Sequence, residues 1–136
     1  MKVNYYKILF YTWLLIIFLL AVIPVKTASN FNLNSKNVRI DYFEHFLVFA
    51  IAGFLNILKE EDYYRKNSIA TIFKWFFILL IFSVLFEMIQ IFIPLRTLNV
   101  KDIIYNVLGL FVGTSFTLLY IFLKKFLIDN KKIKLI

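Results

Sequence analysis

The chain has 136 residues, of which 62% are hydrophobic, and it carries a formal net charge of +8. A soluble domain of this size could not bury so much apolar side chain, because small domains have a large surface relative to their core. The chain contains no cysteine, which excludes a disulfide framework and thiolate chemistry. The composition therefore indicates an integral membrane protein.

Four apolar stretches are long enough, or nearly so, to cross a membrane as helices. They cover residues 8–25, 42–58, 72–93 and 103–123. A helix needs about 17–25 residues to cross about 30 Å of hydrocarbon. None of these stretches alternates apolar and polar residues as a membrane-spanning strand does. We predict an all-α, integral membrane four-helix bundle that forms a single domain over residues 1–136.

The basic residues flank the predicted spans unevenly. Eleven of the sixteen Lys and Arg residues lie before span one, between spans two and three, or after span four, counting Lys74 at the first turn of span three. By the positive-inside rule, both termini of this multi-pass cell-membrane protein are expected in the cytoplasm. The basic C-terminal tail is expected to attract lipid head groups, so membrane lipids are the predicted partners. Nucleic acid is not a predicted partner, because the sequence has no basic stripe with stacking aromatic residues.

Polar residues within the later spans lie near the external end of each span. An α-helix turns about 100° per residue, so residues three or four apart share a face. Three polar stripes result: Asp41, His45, Val48 and Ala52 in span two, Ser83, Glu87, Gln90 and Pro94 in span three, and Asp102, Asn106, Gly109, Gly113 and Thr117 in span four. Lipid is a poor partner for carboxylates and amides, so the three stripes are expected to face one another.

The polar groups of these stripes also lie at a similar depth. At about 1.5 Å per residue, His45 lies ~6 Å beyond Asp41, Asn106 ~6 Å beyond Asp102, and Glu87 ~10 Å before Pro94. We therefore predict one ligand-binding or functional polar cluster at the outer membrane face. Its candidate residues are Asp41, His45, Glu87, Gln90, Arg96, Asp102 and Asn106.

Glu87 is the candidate that most needs a partner. A charged carboxylate well inside a span costs ~2.5–3.5 kcal/mol on insertion scales unless it is paired or protonated. Arg96, in the loop after Pro94, is the only fixed cation placed to pair with Glu87, and its long side chain could dip from the turn. His45 would be a second cation when protonated, so occupancy of the cluster is expected to depend on pH.

Several of these residues also have a simpler interpretation. Gln90 and Asn106 could form ordinary hydrogen bonds between helices, and Asp102 could be the N-cap of span four. Gly109 and Gly113 form a small-xxx-small pair that lets another helix approach closely. Gly53 lies about 120° from Asp41 around span two and is expected to matter less for packing.

The two polar blocks resemble those of the VanZ-like membrane proteins associated with teicoplanin resistance. The first block is D-Y-F-E-H-F at residues 41–46, and the second is E-M-I-Q-I-F-I-P-L-R-T-L-N-V-K-D-I-I-Y-N-V-L-G-L-F-V-G at residues 87–113. The chain departs from the family pattern at Tyr42, where Lys is common, and at Lys101, where a small residue is common. The resemblance implies a four-span fold in the cell envelope and a link to lipoglycopeptide susceptibility, without a mechanism.

Three functions remain open from the sequence. The chain could bind or modify a lipid-linked or lipoglycopeptide amphiphile, whose head would meet the polar cluster. It could instead be a membrane-embedded hydrolase or transferase in which His45, next to Asp41, acts as general base. The cluster could also be purely structural. The side chains of Asp41, His45, Glu87 and Asp102 could also supply oxygen and imidazole ligands for a divalent metal. No H-E-x-x-H helix or other dedicated metal-ligand spacing is present, so no cofactor or metal is predicted.

Overall fold

A computed structural model describes residues 4–24, 30–33, 36–59, 69–94, 96 and 98–133. This part of the chain contains helices α1 (Tyr5–Val22), α2 (Ile40–Leu58), α3 (Ile69–Ile89) and α4 (Val100–Ile133), two short strands, β1 (Asn30–Leu33) and β2 (Lys36–Arg39), and a 3₁₀ turn (Gln90–Phe92). All four helices are long and apolar enough to span a membrane. The predicted helical membrane fold is therefore confirmed.

Helix α1 is shifted toward the N-terminus relative to the predicted span of residues 8–25. It begins at Tyr5, because the side chain of Asn4 accepts a hydrogen bond from the backbone N–H of Lys7 at 3.2 Å and caps the helix. It ends at Val22, and Ile23 already has extended backbone angles. Pro24 explains this end, since a proline disfavours helical geometry in the residue before it.

Helix α4 begins three residues before the predicted start at residue 103. The Asn99 side chain caps it by accepting a hydrogen bond from the Lys101 backbone N–H at 3.1 Å, and it also donates to Asp102 Oδ1 at 3.0 Å. Asp102 is therefore not the N-cap but the third residue of the helix, where a carboxylate is favoured by the helix dipole. The helix also continues to Ile133, past the predicted span end at residue 123, because no Pro or Gly follows Gly113 to interrupt it.

The connection between α1 and α2 contains a β-hairpin that the sequence analysis did not predict. Strands β1 and β2 pair antiparallel, with Asn30 opposite Arg39 and Leu33 opposite Lys36. The hairpin leads directly into α2, since Arg39 ends β2 and Ile40 begins the helix. The start of the second span is thus held by strand pairing rather than by a loop.

Helices α2 and α4 run parallel and form the most extensive helix pair in the bundle. The two glycines of the predicted small-xxx-small pair lie at this contact. A Cβ atom added to Gly109 would collide with the carbonyl oxygen of Phe46, and one added to Gly113 would collide with that of Ala50. The backbones of the two helices therefore touch where these glycines lie, and a side chain there would separate them.

Gly53 also lies at this interface, although its contacts are less close than those of the other two glycines. An added Cβ would come within 2.7 Å of the Leu110 carbonyl oxygen and 2.9 Å of Thr114 Oγ1. The contact between α2 and α4 is wide enough to include residues about 120° from the Asp41 stripe. A helical wheel drawn for one helix does not contain this information, because the width of a contact depends on how closely the partner approaches.

Buried apolar side chains from all four helices form the core. They are Phe10, Ile17 and Ala21 of α1, Phe49 and Ala52 of α2, Leu79 and Phe86 of α3, and Leu110 of α4. The Trp13 indole N–H donates to the Val48 carbonyl at 3.0 Å and joins α1 to α2. Large apolar residues such as Phe77 and Phe116 are exposed, as expected where helices face lipid.

Lys59, directly after α2, lies at the end of the bundle remote from the polar cluster and is almost fully buried. Its Nζ lies 3.6 Å from the ring centroid of Phe10 in α1 and 3.8 Å from that of Trp75 in α3. The Asn4 side chain donates to the Lys59 carbonyl at 2.9 Å. The ammonium group therefore joins three helices through the faces of aromatic rings, which attract a cation electrostatically.

Substitution of the interface glycines should destabilise the bundle. We expect Gly109→Ala and Gly113→Ala to lower the free energy of unfolding by about 1–3 kcal/mol each, because an added methyl group meets backbone that cannot move aside. Gly53→Ala should cost less, since part of its contact is the Thr114 side chain. Thermal unfolding in detergent measures the differences.

Ser115 of α4 is the matched control, because it is small and exposed on the opposite side of the same helix. Ser115→Ala should leave the melting temperature unchanged. Equal melting temperatures for Gly113→Ala and Ser115→Ala would contradict the close approach of α2 and α4.

Candidate functional site

His45 of α2 lies between carboxylates from two other helices. Its Nδ1 is 3.2 Å from Glu87 Oε1 of α3, and its Nε2 is 3.7 Å from Asp102 Oδ2 of α4. Nδ1 also lies 3.1 Å from Asn106 Oδ1. An amide oxygen can only accept, so this contact is a hydrogen bond in the tautomer that carries a proton on Nδ1. His45 thus brings α2, α3 and α4 together through both nitrogens of one ring.

Asn106 completes this network from α4. Its Nδ2 donates to Glu87 Oε1 at 3.1 Å, while its Oδ1 faces His45 Nδ1. The two contacts use the opposite ends of the amide and so fix its orientation. Asn106 is fully buried, and it holds both the imidazole and the carboxylate in place.

The His45 cluster, defined here as His45, Glu87, Asp102 and Asn106, is largely buried. The side chain of His45 is 18% exposed, whereas those of Glu87 and Asp102 are 2% and 7% exposed. His45 is thus the member through which a molecule outside the protein could reach the others. Glu87 Oε1 accepts from the network, but Glu87 Oε2 is buried and has no hydrogen-bond partner among the described residues.

Asp41 and Gln90 are also buried, as their places on the predicted stripes imply. Asp41 lies in the first turn of α2, one turn before His45 on the same face. Gln90 lies in the 3₁₀ turn after α3, and its backbone carbonyl accepts from the Ile93 N–H at 3.1 Å. In the described part of the chain, the Gln90 side chain forms no hydrogen bond with the His45 cluster.

Arg96 does not pair with Glu87 as predicted. Its guanidinium donates to the Leu20 carbonyl at 2.8 Å and to the Ile23 carbonyl at 3.3 Å and 3.4 Å, at the C-terminal end of α1. The last carbonyls of a helix have no partner within it, and a guanidinium supplies several donors in a fixed fork. Arg96 therefore acts on Glu87 only at longer range. Glu87 instead contacts His45 and Asn106.

Two tyrosines that the sequence analysis did not include among the candidate site residues are neighbours of candidate residues in the sequence. The rings of Tyr42 in α2 and Tyr105 in α4 stack at 5.0 Å between centroids, with planes 4° apart. Lys101 Nζ lies 5.9 Å from the Tyr42 centroid. The only signal in the sequence was that each tyrosine is adjacent to a candidate residue, Asp41 or Asn106. That signal is weak, because helical neighbours point about 100° apart.

Asn99 was also missed, although a spacing in the sequence could have revealed it. A capping residue three positions before an acidic residue is typical of a helix start, and Asn99 precedes Asp102 by three. Its hydrogen bond to Asp102 Oδ1 orients the carboxylate whose other oxygen faces His45. Asn99 is therefore a positioning residue for the cluster.

The contact of Arg96 with α1 predicts a specific effect on stability. Arg96→Met should lower the free energy of unfolding by about 1 kcal/mol, because the last carbonyls of α1 lose their charged donor. Arg96→Lys should recover part of this loss. Lys74→Met, which removes an exposed cation of α3, should have no effect on the melting temperature in detergent.

A double-mutant cycle distinguishes the observed contact from the predicted one. The effects of Arg96→Met and Glu87→Gln should add, because the two side chains share no hydrogen bond. A coupling energy above about 1 kcal/mol would mean that Arg96 does pair with Glu87, as the sequence analysis predicted.

Comparison with known proteins identifies the family of the chain. The sequence profile of the VanZ/LLP1 family matches residues 6–124, which contain all four spans and every member of the His45 cluster. No curated protein and no solved structure shows significant similarity to the chain. The match covers most of the sequence and agrees with the motif resemblance at residues 41–46 and 87–113. The chain is therefore a member of the VanZ/LLP1 family.

Proposed function

We propose that this VanZ/LLP1 protein binds the polar head of a lipid-tailed molecule at the His45 cluster. The observation that carries the proposal is a buried network of ionisable groups from three helices, reached through a partly exposed His45. Ionisable groups are costly within a membrane and usually mark a functional site. The head would meet the cluster, and the tail would lie along the exposed apolar faces of the helices.

We further propose that the cluster faces the outside of the cell membrane and that both termini are cytoplasmic. The unequal distribution of Lys and Arg supports this orientation. A site on the outer leaflet could receive a lipid-linked wall precursor or a lipoglycopeptide such as teicoplanin. The teicoplanin association of VanZ-like proteins supports a ligand of this class and a role in lowering susceptibility.

The enzyme alternative gives His45 the role of general base. Its Nδ1 faces Glu87 Oε1 and Asn106 Oδ1, and its Nε2 lies 3.7 Å from Asp102 Oδ2. A purely structural role is the outcome that the experiments below separate from binding.

The orientation can be tested by labelling with a membrane-impermeant thiol reagent. The chain has no cysteine, so Ser35→Cys and Ser68→Cys each introduce a single reactive group. We expect Ser35→Cys to react in intact cells and Ser68→Cys to react only after permeabilisation. The opposite pattern would place the His45 cluster at the cytoplasmic face and contradict the proposed orientation.

The binding site can be tested by substitution, with membrane abundance measured in parallel. We expect His45→Gln and Glu87→Gln to keep near-normal abundance but to lower the amount of co-purifying amphiphile about tenfold, the effect of losing one charge-assisted hydrogen bond. Lipidomic mass spectrometry of the purified protein measures the amphiphile.

Glu44→Gln is the matched control, because Glu44 is an exposed carboxylate one residue before His45. It should change neither abundance nor bound lipid. Loss of abundance in both cluster variants would favour the structural role, and unchanged bound lipid at normal abundance would contradict binding at the cluster.

A further inference from the structure

The Glu87 carboxylate is only half satisfied within the described part of the chain. Its Oε1 accepts from Asn106 Nδ2 at 3.1 Å and faces His45 Nδ1 at 3.2 Å. Its Oε2 is buried, and none of the described residues donates to it. A carboxylate oxygen that is removed from water without a donor is strongly disfavoured. A bound molecule that carries a hydrogen-bond donor would satisfy this oxygen.

The charges around Oε2 indicate the sign of that group. Glu87 faces the His45 ring through Oε1 only. Arg96, which could have received an anionic head, donates to the Leu20 and Ile23 carbonyls instead. An anion placed near Oε2 would be repelled by the Glu87 carboxylate, whereas a cation would be attracted to it.

An organic cation and a metal ion would both carry this charge. A metal ion fits less well, because no three His, Asp or Glu side chains among the described residues are arranged to hold one.

We infer that the head group bound at the His45 cluster carries a protonated primary amine, which donates a hydrogen bond to Glu87 Oε2. This inference rests on the proposed function, since it specifies the chemistry of the head bound at the same site. The shared chemistry is a primary ammonium group on a molecule with an apolar tail, whether that molecule is a membrane lipid or an amine-bearing antibiotic.

The experiment compares amphiphiles that share one tail and differ only in the head. Full-length protein in nanodiscs of uncharged lipid is titrated with hexadecylamine, hexadecyltrimethylammonium, hexadecyl phosphate and hexadecanol, and native mass spectrometry measures binding. We expect the amine to bind at least about tenfold more tightly than the phosphate and the alcohol. The trimethylammonium head has the charge but no N–H, so it should bind more weakly than the amine.

Two variants locate the effect. Glu87→Gln should abolish the preference for the amine, because an amide oxygen keeps the shape of the carboxylate but not its charge. Glu44→Gln removes an exposed carboxylate from the same region and should keep the preference. If Glu87→Gln fails to fold, the order of binding to the wild-type protein still tests the inference.

Each outcome has a defined meaning. Tighter binding of the phosphate, lost in His45→Gln, would overturn the amine but leave the proposed function intact. Equal binding of amine and alcohol would mean that water or any hydroxyl satisfies Oε2, which also overturns the inference. Binding of all four amphiphiles that is unaffected by His45→Gln and Glu87→Gln would overturn both proposals. A lipid source is distinguished from an antibiotic source by repeating the titration with phosphatidylethanolamine and with teicoplanin.

Discussion

Gly109 and Gly113 allow the backbone of α4 to lie directly against the carbonyl groups of Phe46 and Ala50 in α2. Within a bilayer, apolar side chains gain little by leaving lipid for another helix, so close packing of small residues contributes much of the attraction. This contact fixes the register of two parallel helices. Because of that register, His45 lies level with Asn106, and the amide can reach the imidazole of the neighbouring helix.

The polar network follows from this register and from the position of α3. Once His45 and Asn106 are adjacent, Glu87 can accept from Asn106 and face His45 without any group from a loop. The network therefore has a double role, because it joins three helices and also holds a carboxylate with one unsatisfied oxygen. Buried polar networks stabilise a structure only when their members are paired. Glu87 Oε2 is the atom of this network that has no hydrogen-bond partner among the described residues.

Two cations outside the cluster stabilise opposite ends of the bundle. Arg96 donates to the last carbonyls of α1, and Lys59 lies between aromatic rings of α1 and α3. Neither role involves pairing with Glu87, although the chain has few cations near the membrane interior. Unpaired carbonyl groups at a helix end and the faces of aromatic rings attract basic side chains, as carboxylates do. In this protein Arg96 contacts a helix end, and Lys59 contacts aromatic rings.

The sequence by itself determined the four spans, the inward stripes and the common depth of His45, Glu87 and Asn106. These properties follow from hydrophobicity, helical periodicity and the rise per residue, which are local to each helix. The partners of Arg96, the width of the α2–α4 contact and the burial of Lys59 were decided only by the tertiary structure. Each depends on the distance between groups far apart in the chain, and the nearest partner of a long side chain is known only when the helices are packed.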